Sequence, residues 1–256
     1  MKKMMAVLLI MAAAVMAFGC GAAKTDSEYV KSNKKLVVGI TDFAPMDYQD
    51  SNGNWIGFDA DCAKLFADKV LGVGVEFVEI DWDNKSQELS GKNIDCVWNG
   101  MTLSDEVKAS MDCSEAYCNN AQTVVVKKEN ASTYNSINAL KELTFAVEAG
   151  SAGEAVVKEL GFKYVPVQTQ ADTLLEVSAG TSDASVIDAL MAAAMVGEGT
   201  GYSGLTYTIG LNSEEYGVGF RKGSDLTAML NKFFDDYKKD VMEIAKKYGV
   251  EASIIQ

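Results

Sequence analysis

Thr144-Phe145-Ala146-Val147, Ser151-Ala152-Gly153-Glu154, Phe162-Lys163-Tyr164-Val165-Pro166-Val167, Ala171 to Ala179 and Asp183-Ala184-Ser185-Val186-Ile187-Asp188 follow one another without a long gap. The first, third and last pieces are short apolar runs, as expected of strands buried in a sheet. Between them, Ser151 and Glu154 have capping-box spacing, which predicts a helix through Leu160, and Ala171 to Ala179 has helical character. An Ala-rich helix from Asp188 to Val196 completes the series. Strand and helix alternate, so the segment reads as α/β with mostly parallel sheets.

The same unit stands upstream with different residues. Leu36 to Gly39 predicts a strand; Cys62, Leu65, Phe66 and Val70 mark an amphipathic helix stopped at Gly72. Val75 to Ile80 is a second strand, Lys85 to Ser90 a short helix, and Ile94 to Trp98 a third, buried strand. Residues 119–128 and Tyr216 to Phe220 read as strands linking the two halves. After Ser224, Leu226, Met229, Leu230, Phe233, Phe234 and Tyr237 form an i, i+3, i+4 stripe, and a last helix runs from Val241 to Tyr248. Two such units predict two lobes with a cleft between them, hinged near Gln122 to Val126 and Tyr216 to Phe220. Ligands bind outside the carboxyl ends of the strands in open α/β sheets.

Composition narrows the chemistry. The chain has 256 residues, 48% hydrophobic and 23% charged, with no histidine. That excludes Ser-His-Asp and Cys-His catalysis, HExxH zinc sites and imidazole switching. No cofactor or metal is expected. Arg221 is the single arginine. The net charge of −13 becomes −15 once Lys2 and Lys3 are removed with a leader, so nucleic acid is a poor partner. Cys62 and Cys96 occupy apolar positions; Cys113 and Cys118 are left as a pair whose oxidation the sequence does not decide.

Met1-Lys2-Lys3 followed by an uncharged apolar run to Phe18 predicts a signal peptide over 1–19. Ala17-Phe18-Gly19-Cys20 resembles a lipobox, which implies lipidation of Cys20. Residues 20–35, small and polar, are expected to be a flexible tether carrying the globular part outside the bacterial cell membrane.

Several motifs then fall in one order: Gly39 to Met46, Gly57-Phe58-Asp59, Asp81-Trp82-Asp83, Lys92 to Asp95, Asn99 to Glu106, Gly150-Ser151, Asp183 to Asp188 and Tyr216 to Gly223. Together they resemble the polar amino-acid-binding (family 3-like) solute-binding proteins of ABC importers, with the type 2 periplasmic binding protein fold. The resemblance spans residues 35 to 250. It implies lobe one over 35–124 plus 217–256, lobe two over 125–216, a monomeric clamp around a small amino acid or amine, and ABC permease subunits as membrane partners.

Carried over position by position, the resemblance places Phe43 and Trp82 against the two faces of the ligand and Asp188 on its α-ammonium, with Asp42 as a further acid. Asp188 is equally placed to be an N-cap. The carboxylate end departs from the pattern: Val107 stands where the family writes arginine, and Ala152 where it writes a hydroxyl. What remains for an anion is Thr102, the backbone near Asn99 and Gly100, and the helix opening at Ser151, with Lys108 as the nearest charge. The ligand is therefore either an ordinary amino acid or an amine with an altered or missing α-carboxylate. A cyclohexadienyl dehydratase-like enzyme and a receptor-signalling subunit are the competing classes.

Overall fold

A computed structural model describes residues 24–255. Its first element corrects the expected tether: α1 (Asp26–Asn33) is a docked helix, opened by a capping box between Thr25 and Glu28. Val30 is fully buried, and Ser27 donates to Asp225 through its backbone N–H (3.0 Å) and its hydroxyl (2.6 Å). Polar composition misled because one apolar anchor, Val30, suffices when Ser27 and Asp26 supply polar and charged docking contacts.

Lobe one follows with β1 (Lys35–Ile40), a small hairpin β2 (Tyr48–Gln49) and β3 (Trp55–Ile56), α2 (Phe58–Phe66), β4 (Gly74–Glu79), α3 (Lys85–Ser90) and β5 (Cys96–Thr102). It continues with α4 (Asp105–Ser110), β6 (Asp112–Cys113) and β7 (Cys118–Asn120). The chain then enters lobe two: β8 (Gln122–Lys127), α5 (Ile137–Leu140), β9 (Thr144–Glu148), α6 (Ala152–Glu159), β10 (Lys163–Val167), α7 (Gln170–Ala179), β11 (Ala184–Asp188), α8 (Ala189–Met195) and β12 (Leu205–Gly210). It returns through β13 (Glu214–Phe220) and closes on lobe one with α9 (Leu226–Asp236) and α10 (Lys238–Tyr248).

Each lobe is built on one mixed sheet. Lobe one has the order β4-β1-β5-β13-β6, with β7 also on β13; lobe two has β10-β9-β11-β8-β12. The parallel trios are β4-β1-β5 and β10-β9-β11, while β13 and β8 run antiparallel to them. The sheets are thus less uniformly parallel than the pattern predicts, because the strands returning from the other lobe insert beside the βαβ units. The expected hinge strands lie inside the sheets. The crossovers sit at Ala121 and at residues 211–213, pinned side by side where Leu211 N–H donates to Gln122 O (2.8 Å) and Gln122 N–H to Asn212 Oδ1 (2.6 Å).

The lobe-one core is aromatic: Phe66 packs edge-on to Trp98 and Phe233, with ring centres 6.2 and 5.5 Å apart. Such pairs add about 0.5–1.5 kcal/mol beyond burial. In lobe two, Phe145 and Phe162 stack at 5.2 Å over Val124, Val126 and Val157. The thiols of Cys62, Cys96, Cys113 and Cys118 are free.

Candidate functional site

A cavity of about 720 Å³ opens between the lobes. It is lined by Phe43, Trp82, Asn99, Gly100, Thr102, Ser151, Ala152 and Asp188, so the structure brings all eight of these sequence-predicted residues together. Two others stay outside its lining. Asp42 is exposed beside Phe43, and Lys108 is exposed on the outer side of α4. Alternation along the chain sends Asp42 away when Phe43 turns inward. On α4, burial of Val107 (7% exposed) turns the next residue, about 100° round the helix, to solvent. Cys20 and the leader lie outside the described residues.

The lobes touch across this cavity. Gln168 donates to Asp81 at 2.9 Å, and the Lys85 ammonium donates to Gly150 O at 3.0 Å. Gly150 has φ +70, and a Cβ there would stand 2.7 Å from Asp83 Cα, so glycine permits this approach.

Asp188 lies at the cleft floor, 4% exposed. Although it stands at the N-cap of α8, its side chain makes no capping bond. Its Oδ1 instead accepts from Tyr216 hydroxyl (2.7 Å), Gln122 Nε2 (2.9 Å) and Asn120 Nδ2, and its Oδ2 accepts from Gln170 Nε2. Gln170 Oε1 receives the Asp188 N–H at 3.0 Å, fixing the amide's orientation. Burial, then the charge of Glu214, pushes the Asp188 carboxyl up to about 7. Four donors organise this carboxylate, but no cation among the described residues pairs with it.

Glu148 is a second acid that sequence reasoning passed over. It ends β9 as Asp188 ends β11, and these are neighbouring parallel strands, so both carboxylates emerge at the strands' carboxyl ends. Glu148 is 2% exposed, its Oε1 has no hydrogen-bond partner, and burial, then the charge of Asp188, raises its carboxyl to about 8. The signal was present: an acid closing an otherwise apolar strand, repeated at the same place in the unit.

Lys85 was also missed. It is the first residue of α3, where a cation opposes the helix dipole. Its ammonium donates to Trp82 O (3.0 Å) as well as to Gly150 O, and sits 4.9 Å from the Trp82 ring centre. Burial pushes it below the usual lysine range.

Several expected anion contacts are already engaged. Gly100 N–H donates to Asp59 Oδ2 (2.6 Å), and the Asn99 side chain is held by Thr41 and Asp47. Thr102 hydroxyl donates to Glu214 Oε1 at 3.0 Å. Ser151 Oγ accepts Glu154 N–H at 3.1 Å, while the Glu154 carboxylate reaches Gly150 N–H, one residue beyond the expected capping box. Gly100 serves Phe43 sterically: with φ +54, a Cβ there would stand 2.5 Å from Phe43 Cε1.

Two mixed α/β lobes, two crossovers and a polar cleft between them define a two-lobed binding protein of the type 2 periplasmic fold. The chain belongs to the bacterial extracellular solute-binding proteins, family 3, which match residues 36–251. It is 32% identical over 235 residues to the arginine-binding extracellular protein ArtP of Bacillus subtilis, covering 88% of this chain and 89% of that one. Among solved structures, a mutant of ArgBP from T. maritima superposes with TM-score 0.81 at 32% identity, covering 87% of this chain and 98% of that one. The ancestral amino acid-binding protein AncCDT-1, a precursor of cyclohexadienyl dehydratase, superposes with TM-score 0.79 at 31% identity over the same shares.

Proposed function

We propose that this protein is the ligand-capturing subunit of an ABC importer, closing its cleft on a cationic amino acid or related amine and presenting it to membrane permease subunits. The observation that carries the reading is the acid excess of the cleft: Asp83, Asp105, Glu106, Glu148, Glu154 and Asp188 line it against Lys85 and Lys158. Buried carboxylates without a counter-ion are costly, and a ligand ammonium or guanidinium at Asp188 relieves that cost. Phe43 and Trp82 flank the ligand, adding apolar contact and cation–π attraction. The arginine named for the Bacillus subtilis and T. maritima relatives agrees in charge. The leader and Cys20 support a lipid-anchored protein on the outer side of the cell membrane.

Calorimetric titration of the twenty amino acids and their amines tests the reading. Arginine, lysine, histidine or a small amine is expected to bind most tightly, and Asp188→Ala to abolish it. Preference for acidic or neutral ligands, or unchanged binding in Asp188→Ala, would overturn it.

A further inference from the structure

The charged groups facing the cleft are unequally partnered. Asp188 is held by four side-chain donors. Lys158 pairs with Glu154 at 3.0 Å and is half exposed. Lys85 has neither arrangement. Two of its three N–H donors are taken by the carbonyls of Trp82 and Gly150, and the third has no protein acceptor among the described residues. The nearby acids, Glu148 foremost, act on it only through space, with no ion pair within 4.0 Å among the described residues. Burial disfavours its charge, the nearby acids favour it, and one N–H is left pointing to no protein acceptor among the described residues.

Its surroundings favour an anion there. The carbonyl that holds it belongs to Gly150, one residue before the N-cap of the eight-residue helix α6. Ser151 Oγ and the Glu154 carboxylate already take the N–H groups of Glu154 and Gly150, which leaves those of Ala152 and Gly153 as the donors at a helix N-terminus that favours negative charge. Lys85 comes from lobe one and α6 from lobe two, so two electropositive features meet at one wall of the cavity. Val107 and Ala152, both without a polar side-chain group, line the same cavity and offer an anion no competing contact.

We propose that Lys85, with the N-terminus of α6, receives the α-carboxylate of the ligand, while Asp188 takes its α-ammonium. This rests on the amino-acid reading above and extends it. A zwitterion then gives Asp188 and Lys85 each an opposite charge, and its carboxylate is gripped from both lobes at once, which couples binding to closure. An ammonium grips as a point charge, without the planar fork of a guanidinium, so the carboxylate is held with less orientational restraint.

Titration with two matched pairs, arginine with agmatine and histidine with histamine, tests the assignment on the unmodified protein, Lys85→Met and Lys85→Arg. Each amine lacks only the carboxylate. The unmodified protein is expected to prefer the amino acid of at least one pair tenfold or more, the size of one charge-assisted contact. Lys85→Met is expected to erase that preference by weakening the amino acid and leaving the amine unchanged, and Lys85→Arg to restore most of it. Equal losses for both members would make Lys85 only a latch on Gly150, and a preference retained in Lys85→Met, or an unmodified protein that favours the amines, would equally overturn the proposal. If the unmodified protein binds no member of either pair, the cationic-ligand reading itself falls, and with it the role of Lys85.

Discussion

The Tyr216 hydroxyl donates to Asp188 Oδ1 at 2.7 Å, joining β13 of the lobe-one sheet to β11 of the lobe-two sheet at the floor of the cleft. The bond does two things. It ties the lobes near their crossovers, and it favours the ionised form of the carboxylate at the cleft floor. Tyr216→Phe removes one donor and leaves the ring packed on Phe43, whose centre is 6.4 Å away. We expect a stability loss of about 1 kcal/mol and a severalfold loss of affinity for a cationic ligand at pH 7. Because the Asp188 carboxyl moves further up, the deficit against the unmodified protein narrows near pH 9. Titration calorimetry at both pH values separates this from simple damage to the floor, which would lower affinity equally at each.

The pH dependence of binding has a definite sign. Asp188 and Glu148 are raised to about 7 and about 8 by burial first and by neighbouring acids second. In the empty cleft they hold protons that a cationic ligand displaces, so affinity rises from pH 6 to about pH 8, above which loss of the ligand's own α-ammonium proton opposes binding. Calorimetry in two buffers of different ionisation enthalpy is expected to show proton release near pH 7. For the ligand-free protein the linkage runs the other way. Between about pH 4, where the unfolded chain loses these protons, and about pH 8, where the native cleft does, stability falls as pH rises. Asp59, also raised to about 7 by burial, adds to that trend. Glu148→Gln is expected to flatten the upper part of the melting-temperature profile. A ligand-free melting temperature that rises steadily from pH 5 to pH 8 would contradict this account.

Gly150 is the point at which closure is sterically permitted. Alanine at φ +70 costs about 1–2 kcal/mol in backbone conformation, and its Cβ would meet Asp83 Cα of the opposite lobe at 2.7 Å. A main-chain atom cannot swing aside, so the lobes themselves must part. Gly150→Ala is therefore expected to fold with little loss of helix or sheet and to bind at least tenfold more weakly. Its radius of gyration is expected to stay constant on adding ligand, whereas the unmodified protein contracts. Small-angle scattering with and without saturating ligand checks both, and a normal contraction in the variant would refute the assignment.

Much of this was legible in the sequence because it is local. The repeated strand and helix units, the apolar stripe of α9 and the αL stops at Gly72 and Gly249 follow from periodicity and turn chemistry, whereas the cleft positions of Phe43, Trp82 and Asp188 come from the family resemblance. What was not legible depends on partners distant in the chain. Gly100 and Asn99 looked available to a ligand, but side chains of Asp59 and Asp47, 41 and 52 positions away, already use them. Lys108 looked nearer than Lys85 to the missing arginine, yet the rotation of α4 that buries Val107 turns Lys108 outward, while α3 brings Lys85 to Gly150 of the other lobe. Helix α1 hid in a polar stretch because its docking is carried by charge.

That charge is on Arg221. Its Nε donates to Asp26 on α1 at 3.1 Å, its Nη2 to Asp95 at 3.0 Å and its Nη1 to Ile94 O at 2.7 Å, with the guanidinium and both carboxylates largely buried. The chain's one arginine thus spans α1, the start of β5 and the end of β13, and its planar fork meets acceptors on Asp26, Leu89, Ile94 and Asp95 that a single ammonium cannot reach together. Arg221→Lys leaves Asp95, only 4% exposed at its side chain, short of a partner. Breaking a buried pair of this kind costs about 3–5 kcal/mol. We expect a large drop in melting temperature for Arg221→Lys, a smaller one for Asp26→Asn, and increased protease sensitivity at residues 24–33 in both. Affinity measured well below the new melting temperature is expected to be unchanged, because none of these residues lines the cleft. A selective loss of ligand binding in folded Arg221→Lys would mean that the arginine serves the site as well as the scaffold.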